Sequence, residues 1–183
     1  MQSHIVAPRG ARYASSMAKV LTGSVRGKSR RTGIAVARFN EVVTERLLRG
    51  ALATLRDNGI ADDDVVVVWV PGAFELPVAC EWLAKGARCE LLVMLGAVVR
   101  GGTDHYEHVC RGVTDGAMRV SLDLGLPLGF GVLTCATMDQ ALARAGGEHG
   151  NKGSDAAIAA LTMADLRTQL GVTGPAATSP PPR

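Results

Sequence analysis

The chain has 183 residues, a length that suits one domain with a sizeable core. Its 20 Lys and Arg and 17 Asp and Glu are unevenly placed: residues 1–31 hold seven of the cations and no acid, and the rest is net acidic. That excludes a basic, nucleic-acid-binding body, and no apolar run approaches the ~18 residues of a membrane span.

Residues 1–31 also carry five serines and lack the apolar stretch of a secretory signal. They read as a basic, unstructured extension of a cytoplasmic protein; the same composition fits a transit peptide, which would direct the chain to a plastid. Gly33-Ile34-Ala35-Val36-Ala37 opens the folded part as a strand, followed by Arg38-Phe39-Asn40. Val43, Leu47, Ala51 and Leu55 recur on one helical face, which Asn58-Gly59 stops. Val65 to Val70 is a β-branched run, hence a strand covered on both faces. The turn Pro71-Gly72-Ala73-Phe74-Glu75-Leu76-Pro77 leads into a helix carrying Val78, Ala79, Trp82 and Leu83, which closes at Gly86.

Leu91 to Leu95 predicts a third, buried strand ending at Gly96 and Ala97. Behind the turn that follows, Tyr106, Val109, Val113, Ala117 and Val120 recur at helical spacing. Asp104 followed by Glu107 predicts a capping box, with His105 as the first helical residue. Gly125-Leu126-Pro127 breaks this helix, and Phe130 to Leu133 forms a fourth strand. Thr137-Met138-Asp139-Gln140 predicts a second capping box, on a short helix through Arg144 that Gly146-Gly147 stops. A last helix runs from about Gly153 to Leu170, and residues 173–183 read as a proline-rich, disordered tail. Cys80, Cys89, Cys110 and Cys135 form no CxxC and no cluster with histidine, so they read as small core residues in a reducing compartment.

Strands alternating with helices imply a parallel sheet with right-handed crossovers. The expected fold is α/β, a flavodoxin-like three-layer αβα sandwich over residues 32–172, with four parallel strands in the order 2-1-3-4. Its switch point, where such sheets bind ligands, lies between strands one and three. Arg38 to Asn40, Pro71 to Glu75 and Arg100 to His105 sit at the carboxyl ends of three strands and converge there. Gly101 and Gly102 let backbone N–H groups approach an anion at a helix N-terminus. The convergence lifts His105 from a surface histidine on a helix start to a candidate acid–base group.

Together, Arg38-Phe39-Asn40, Val70-Pro71-Gly72-Ala73-Phe74-Glu75-Leu76-Pro77 and Leu95-Gly96-Ala97-Val98-Val99-Arg100-Gly101-Gly102-Thr103-Asp104-His105-Tyr106 resemble the lumazine synthase family. Gly131-Val132-Leu133-Thr134, Arg144-Ala145-Gly146 and Gly150-Asn151-Lys152-Gly153 continue the resemblance, which covers roughly residues 32–172. It implies condensation of 5-amino-6-(D-ribitylamino)uracil with 3,4-dihydroxy-2-butanone 4-phosphate, the penultimate step of riboflavin biosynthesis. It implies small-molecule substrates, no cofactor and no metal.

By the same resemblance, His105 is the general acid/base, and Gly102, Thr103 and Arg144 hold the butanone phosphate. Phe39, Asn40, Ala73, Phe74, Glu75, Ala97, Val98, Val99, Phe130 and Lys152 line the pyrimidine and ribityl side. The residues matching Phe130 and Arg144 come from a neighbouring subunit in that family. The expected assembly is therefore a homopentamer with sites between adjacent subunits, with a 60-subunit icosahedral shell as its larger form and riboflavin synthase as a further partner. Glu107 and His108 depart from the usual Asp and aromatic residue of the family. The rival readings are an archaeal-type riboflavin synthase, a non-catalytic shell or ligand-binding relative, and a flavodoxin-type carrier. The last lacks its phosphate loop after the first strand.

Overall fold

The computed structural model describes residues 18–27 and 30–172. Four strands, β1 (Thr32–Ala37), β2 (Val65–Val70), β3 (Leu91–Val99) and β4 (Leu128–Cys135), form one parallel sheet in the order β2-β1-β3-β4. Between and after them come α1 (Glu41–Asp57), α2 (Leu76–Lys85), α3 (His105–Leu124), α4 (Met138–Ala143) and α5 (Lys152–Gln169). A short antiparallel pair, β5 (Ala145–Gly147) with β6 (Gly150–Asn151), joins α4 to α5.

The period-two alternation of side chains sorts the strands onto two cores. Ile34, Val36, Leu91, Val93 and Leu95 pack with Val43, Leu47 and Leu55 of α1 and with Ala157, Ala160 and Leu161 of α5. Ala35, Ala37, Leu92, Met94 and Val98 pack with Leu76, Ala79 and Leu83 of α2 and Val113 and Ala117 of α3. The expected three-layer α/β sandwich and strand order are therefore present. Buried on both faces, β1 and β3 are near-continuous apolar runs, as parallel strands must be.

The third strand is longer than expected, because Gly96 continues the ladder. It pairs with Val132, and a Cβ there would lie 3.0 Å from Leu76 Cδ1, so close packing explains this glycine. β4 likewise extends beyond Phe130 to Leu133 at both ends, since its register with β3 is unbroken from Leu128 to Cys135. Gly146 and Gly147, expected only to stop a helix, form one arm of the β5–β6 hairpin, with Gly146 at φ 101°. The Thr137 hydroxyl caps α4 by accepting from the Gln140 N–H, as expected. Asp104 makes no side-chain cap on α3, and Glu107 turns instead to Arg100.

The packed chain also reaches back beyond Thr32, where the sequence reading placed the boundary. The Ser24 N–H donates to Asp165 Oδ2 at 2.7 Å, Gln169 Nε2 donates to the Thr22 carbonyl at 3.0 Å, and the Gly27 N–H donates to the Asn58 carbonyl at 2.7 Å. Residues 18–27 thus lie along α5 and the end of α1. The Ser24 N–H, with Gln169 beside it, holds the Asp165 carboxyl below its ordinary range. The remaining expectation of disorder, at residues 1–17, 28–29 and 173–183, lies outside the described residues.

Two glycines seat α5. A Cβ at Gly153 would collide with the Leu47 carbonyl oxygen of α1, and one at Gly129 with the Ala156 carbonyl oxygen. Gly153→Ala is accordingly expected to cost about 2 kcal/mol in urea denaturation, since backbone cannot yield as a side chain does. An alanine variant with an unchanged midpoint would show that α1 and α5 separate freely.

Candidate active site

The site begins with how three strand ends are laced together. Asn40 adopts a left-handed conformation (φ 61°), which asparagine tolerates better than most residues, and its Nδ2 donates to the Ala97 carbonyl at 2.9 Å. Its own carbonyl accepts from the Val43 N–H at 2.8 Å and starts α1. The Phe39 N–H donates to the Pro71 carbonyl at 3.1 Å. Through Asn40 and Phe39, the end of β1 is thus tied to both β3 and β2. Phe39 is left 70% exposed, an aromatic face with little of its own chain over it.

After β2, Ala73 to Glu75 make a single tight helical turn. Ala73 is buried and Phe74 is 61% exposed, its ring edge resting on α3, where a Cβ at Gly112 would lie 2.6 Å from Phe74 Cε2. Glu75 Oε2 accepts from the Gly72 N–H at 3.0 Å, which orients the half-buried carboxylate and leaves its other oxygen for a hydroxyl. Ala97 and Val98 are buried and Val99 is half-buried. One lone pair of the Ala97 carbonyl is already taken by Asn40, so this strand end offers fewer free backbone acceptors than the sequence suggested.

Residues 101–105 are exposed, and a Cβ at Gly101 or Gly102 would meet nothing within 4 Å. Packing within the chain therefore does not demand these glycines; open space for a ligand at the start of α3 fits them. His105 is the first residue of α3 and is exposed, with no hydrogen bond to its imidazole among the described residues.

Phe130, Arg144 and Lys152 stand apart from this group. They line a groove of about 310 Å³ along the free edge of β4, together with Thr134 and Gln140. Arg144 Nη1 donates to the Gln140 carbonyl at 3.0 Å, and Lys152 Nζ donates to Asp155 Oδ2 at 2.7 Å. The Lys152 N–H donates to the Arg144 carbonyl at 2.8 Å, so the hairpin holds the backbones of these two residues together at the groove. Phe130 is 41% exposed. None of Phe39, Phe74, Glu75 or His105 lines this groove. Lys152, grouped with Asn40 by resemblance, lies beside Arg144 instead.

Sequence reasoning passed over Arg100, whose guanidinium lies over the Tyr106 ring (4.4 Å to its centre) and bonds Glu107. Their spacing across a turn is a signal only once the turn's path is known. All four cysteines are free; burial pushes Cys80 up to about 12 and Cys89 to about 11, which keeps both as protonated core thiols. Burial also raises Cys135, against the pull of the nearby Arg144. Among the described residues no group of three or more His, Cys, Asp and Glu could hold a metal ion, and no helix is long and apolar enough to cross a membrane.

A parallel sheet whose order reverses between β1 and β3, with aromatic, acidic and imidazole groups at that reversal, defines a doubly wound ligand-binding domain. The chain belongs to the 6,7-dimethyl-8-ribityllumazine synthase family, whose model matches residues 29–168 and whose members are transferases of riboflavin biosynthesis. It is 47% identical over 147 residues to the 6,7-dimethyl-8-ribityllumazine synthase, chloroplastic, of Arabidopsis thaliana, covering 80% of this chain and 65% of that one. It is 47% identical over 148 residues to the enzyme of Pediococcus pentosaceus (81% and 95% covered) and 44% identical over 154 residues to that of Desulfatibacillum aliphaticivorans (84% and 99% covered).

Proposed function

We propose that the chain is a 6,7-dimethyl-8-ribityllumazine synthase that joins 5-amino-6-(D-ribitylamino)uracil to 3,4-dihydroxy-2-butanone 4-phosphate, releasing phosphate and two waters. The observation that carries this reading is that Phe39, Phe74-Glu75 and Gly102-Thr103-His105 follow the carboxyl ends of β1, β2 and β3, which the Asn40 side chain and the Phe39 N–H tie together. Phe39 stacks on the flat pyrimidine. The free oxygen of Glu75 accepts from ribityl hydroxyls, and backbone at Ala73, Phe74 and Ala97 to Val99 edges the ring. Gly102 and Thr103 hold the phosphate at the N-terminus of α3, where the helix dipole favours an anion.

The chemistry is amine attack on a ketone, loss of water to an imine, elimination of phosphate, and ring closure with loss of a second water. Each stage moves a proton near neutral pH, which suits an imidazole. His105, beside the phosphate, takes and returns those protons. Holding both substrates in one crevice supplies much of the remaining acceleration by orientation.

Phe130, Arg144 and Lys152 complete the site from an adjacent subunit. Their groove opens on the free edge of β4, where a heterologous contact repeated around a closed ring would bring it to the next chain's His105. The assembly is a homopentamer, with the 60-subunit shell built from such rings and riboflavin synthase as a further partner. The cytoplasm is its compartment; the plastid alternative rests on residues 1–31 and on the chloroplastic relative.

Light-scattering mass on the purified protein, with a lumazine-forming assay on the same sample, tests the reading. A pentamer multiple that forms lumazine is the expected result. An active monomer would remove the shared site. An assembly that instead disproportionates lumazine would indicate the riboflavin synthase reading, and an inert one the shell reading.

A further inference from the structure

We propose that Arg100 is a positioning residue for the reaction: its side chain reaches across the turn Gly101 to Asp104 to Tyr106 and Glu107, and so sets where the phosphate cradle and His105 stand. The inference rests on the roles proposed above for Gly102, Thr103 and His105. Arg100 enters the turn held by the sheet, its N–H donating to the Cys135 carbonyl at 2.9 Å. Its Nη2 donates to Glu107 Oε1 at 2.6 Å while the guanidinium carbon lies 4.4 Å from the centre of the Tyr106 ring. Tyr106 is itself half-buried, with Cys110 and Thr134 beside its phenol. The stack therefore stands on a ring that is held in place.

The turn has little else to order it. Residues 101–105 are exposed, neither glycine is packed against the chain, and Asp104 caps nothing with its side chain. Glycines have the most backbone freedom to lose, so a turn with two of them is costly to hold in one shape. Arg100 supplies the side-chain tie across it among the described residues, and both of its partners directly follow His105. This also explains why Glu107 forms no capping box: its carboxylate is committed to Arg100. An exposed ion pair alone contributes little to global stability. Stacking on an aromatic face adds to it, and the effect falls on the geometry of the turn.

The test compares Arg100→Met, which keeps the apolar stem, with Arg100→Lys, which keeps the charge but not the planar fork. In the assembled enzyme, Arg100→Met is expected to raise KM for the butanone phosphate about tenfold, keep KM for the pyrimidine within about twofold, and lower kcat about threefold. Arg100→Lys should fall between Met and the parent. Hydrogen exchange over residues 100–109 should speed about tenfold in Arg100→Met, with global unfolding unchanged. If the parent protein forms no lumazine, the reading under Proposed function falls, and the exchange result still decides the tie. Unchanged exchange, or an equal rise in both Michaelis constants in an active enzyme, would overturn it.

Discussion

His105→Ala is expected to lower kcat by roughly 10- to 100-fold, at or below the low end of what positioned acid–base groups supply. The imidazole is exposed at the first residue of α3, so water can take part of its proton traffic. The low end is for that reason the expected one. Binding should survive, because the stacking proposed for Phe39 and the ribityl contacts proposed for Glu75 do not pass through His105. A pyrimidine analogue titrated into the variant should show a Kd within about twofold of the parent's, as removal of a group used only in the transition state requires. Lost binding with normal turnover would contradict the assignment. Because substitution of an exposed residue at a helix start seldom unfolds a domain, denaturation midpoints should match.

The second large effect is a recovery. His105→Ala and Arg144→Ala should each be strongly impaired, the latter with KM for the butanone phosphate raised well above any change for the pyrimidine. In a ring whose sites each take His105 from one chain and Arg144 from the next, an equal, random mixture of the two variants rebuilds about one quarter of the sites. Denaturing and reassembling the variants together should therefore restore activity to about a quarter of the parent's, against a low background from either alone. No recovery, with mixed rings demonstrated by mass, would place both residues in a site within one chain. The structure motivates the experiment, since Arg144 lies with Phe130 and Lys152 on the free edge of β4 and shares no groove with His105.

Much of this was legible in the residues. Ile34, Val36, Leu91, Val93 and Leu95 are apolar because both faces of their strands are covered, so the strands could be found by run length alone. The parallel sheet followed from the alternation of elements, and the strand order is the one expected of a flavodoxin-like layout. The cap at Thr137 followed from local chemistry that acts over three or four residues; α3 also starts at His105, although the capping box that pointed there does not form.

Failures came where a residue's partner lies far along the chain. Gly96 looks like a terminator when read locally, yet it is a packing glycine facing Leu76 and Val132. Residues 18–27 have the composition of a tail, but Ser24 meets Asp165 and Thr22 meets Gln169, contacts no local pattern announces. Lys152, grouped with Asn40 by resemblance, lies in a groove with Arg144, its backbone N–H held by the Arg144 carbonyl across the β5–β6 hairpin.

By itself, then, the sequence determined the fold class, the succession of strands and helices and the identity of the three strand-end motifs. Each depends on periodicity and on turn chemistry written within a few residues. Only the tertiary structure decided that Asn40 laces β1 to β3, that Arg100 ties the turn before His105, and that Phe130, Arg144 and Lys152 line a separate groove on the edge of β4. Those are distances between residues remote in the chain, set by how helices and strands pack, and no spacing along the chain encodes them.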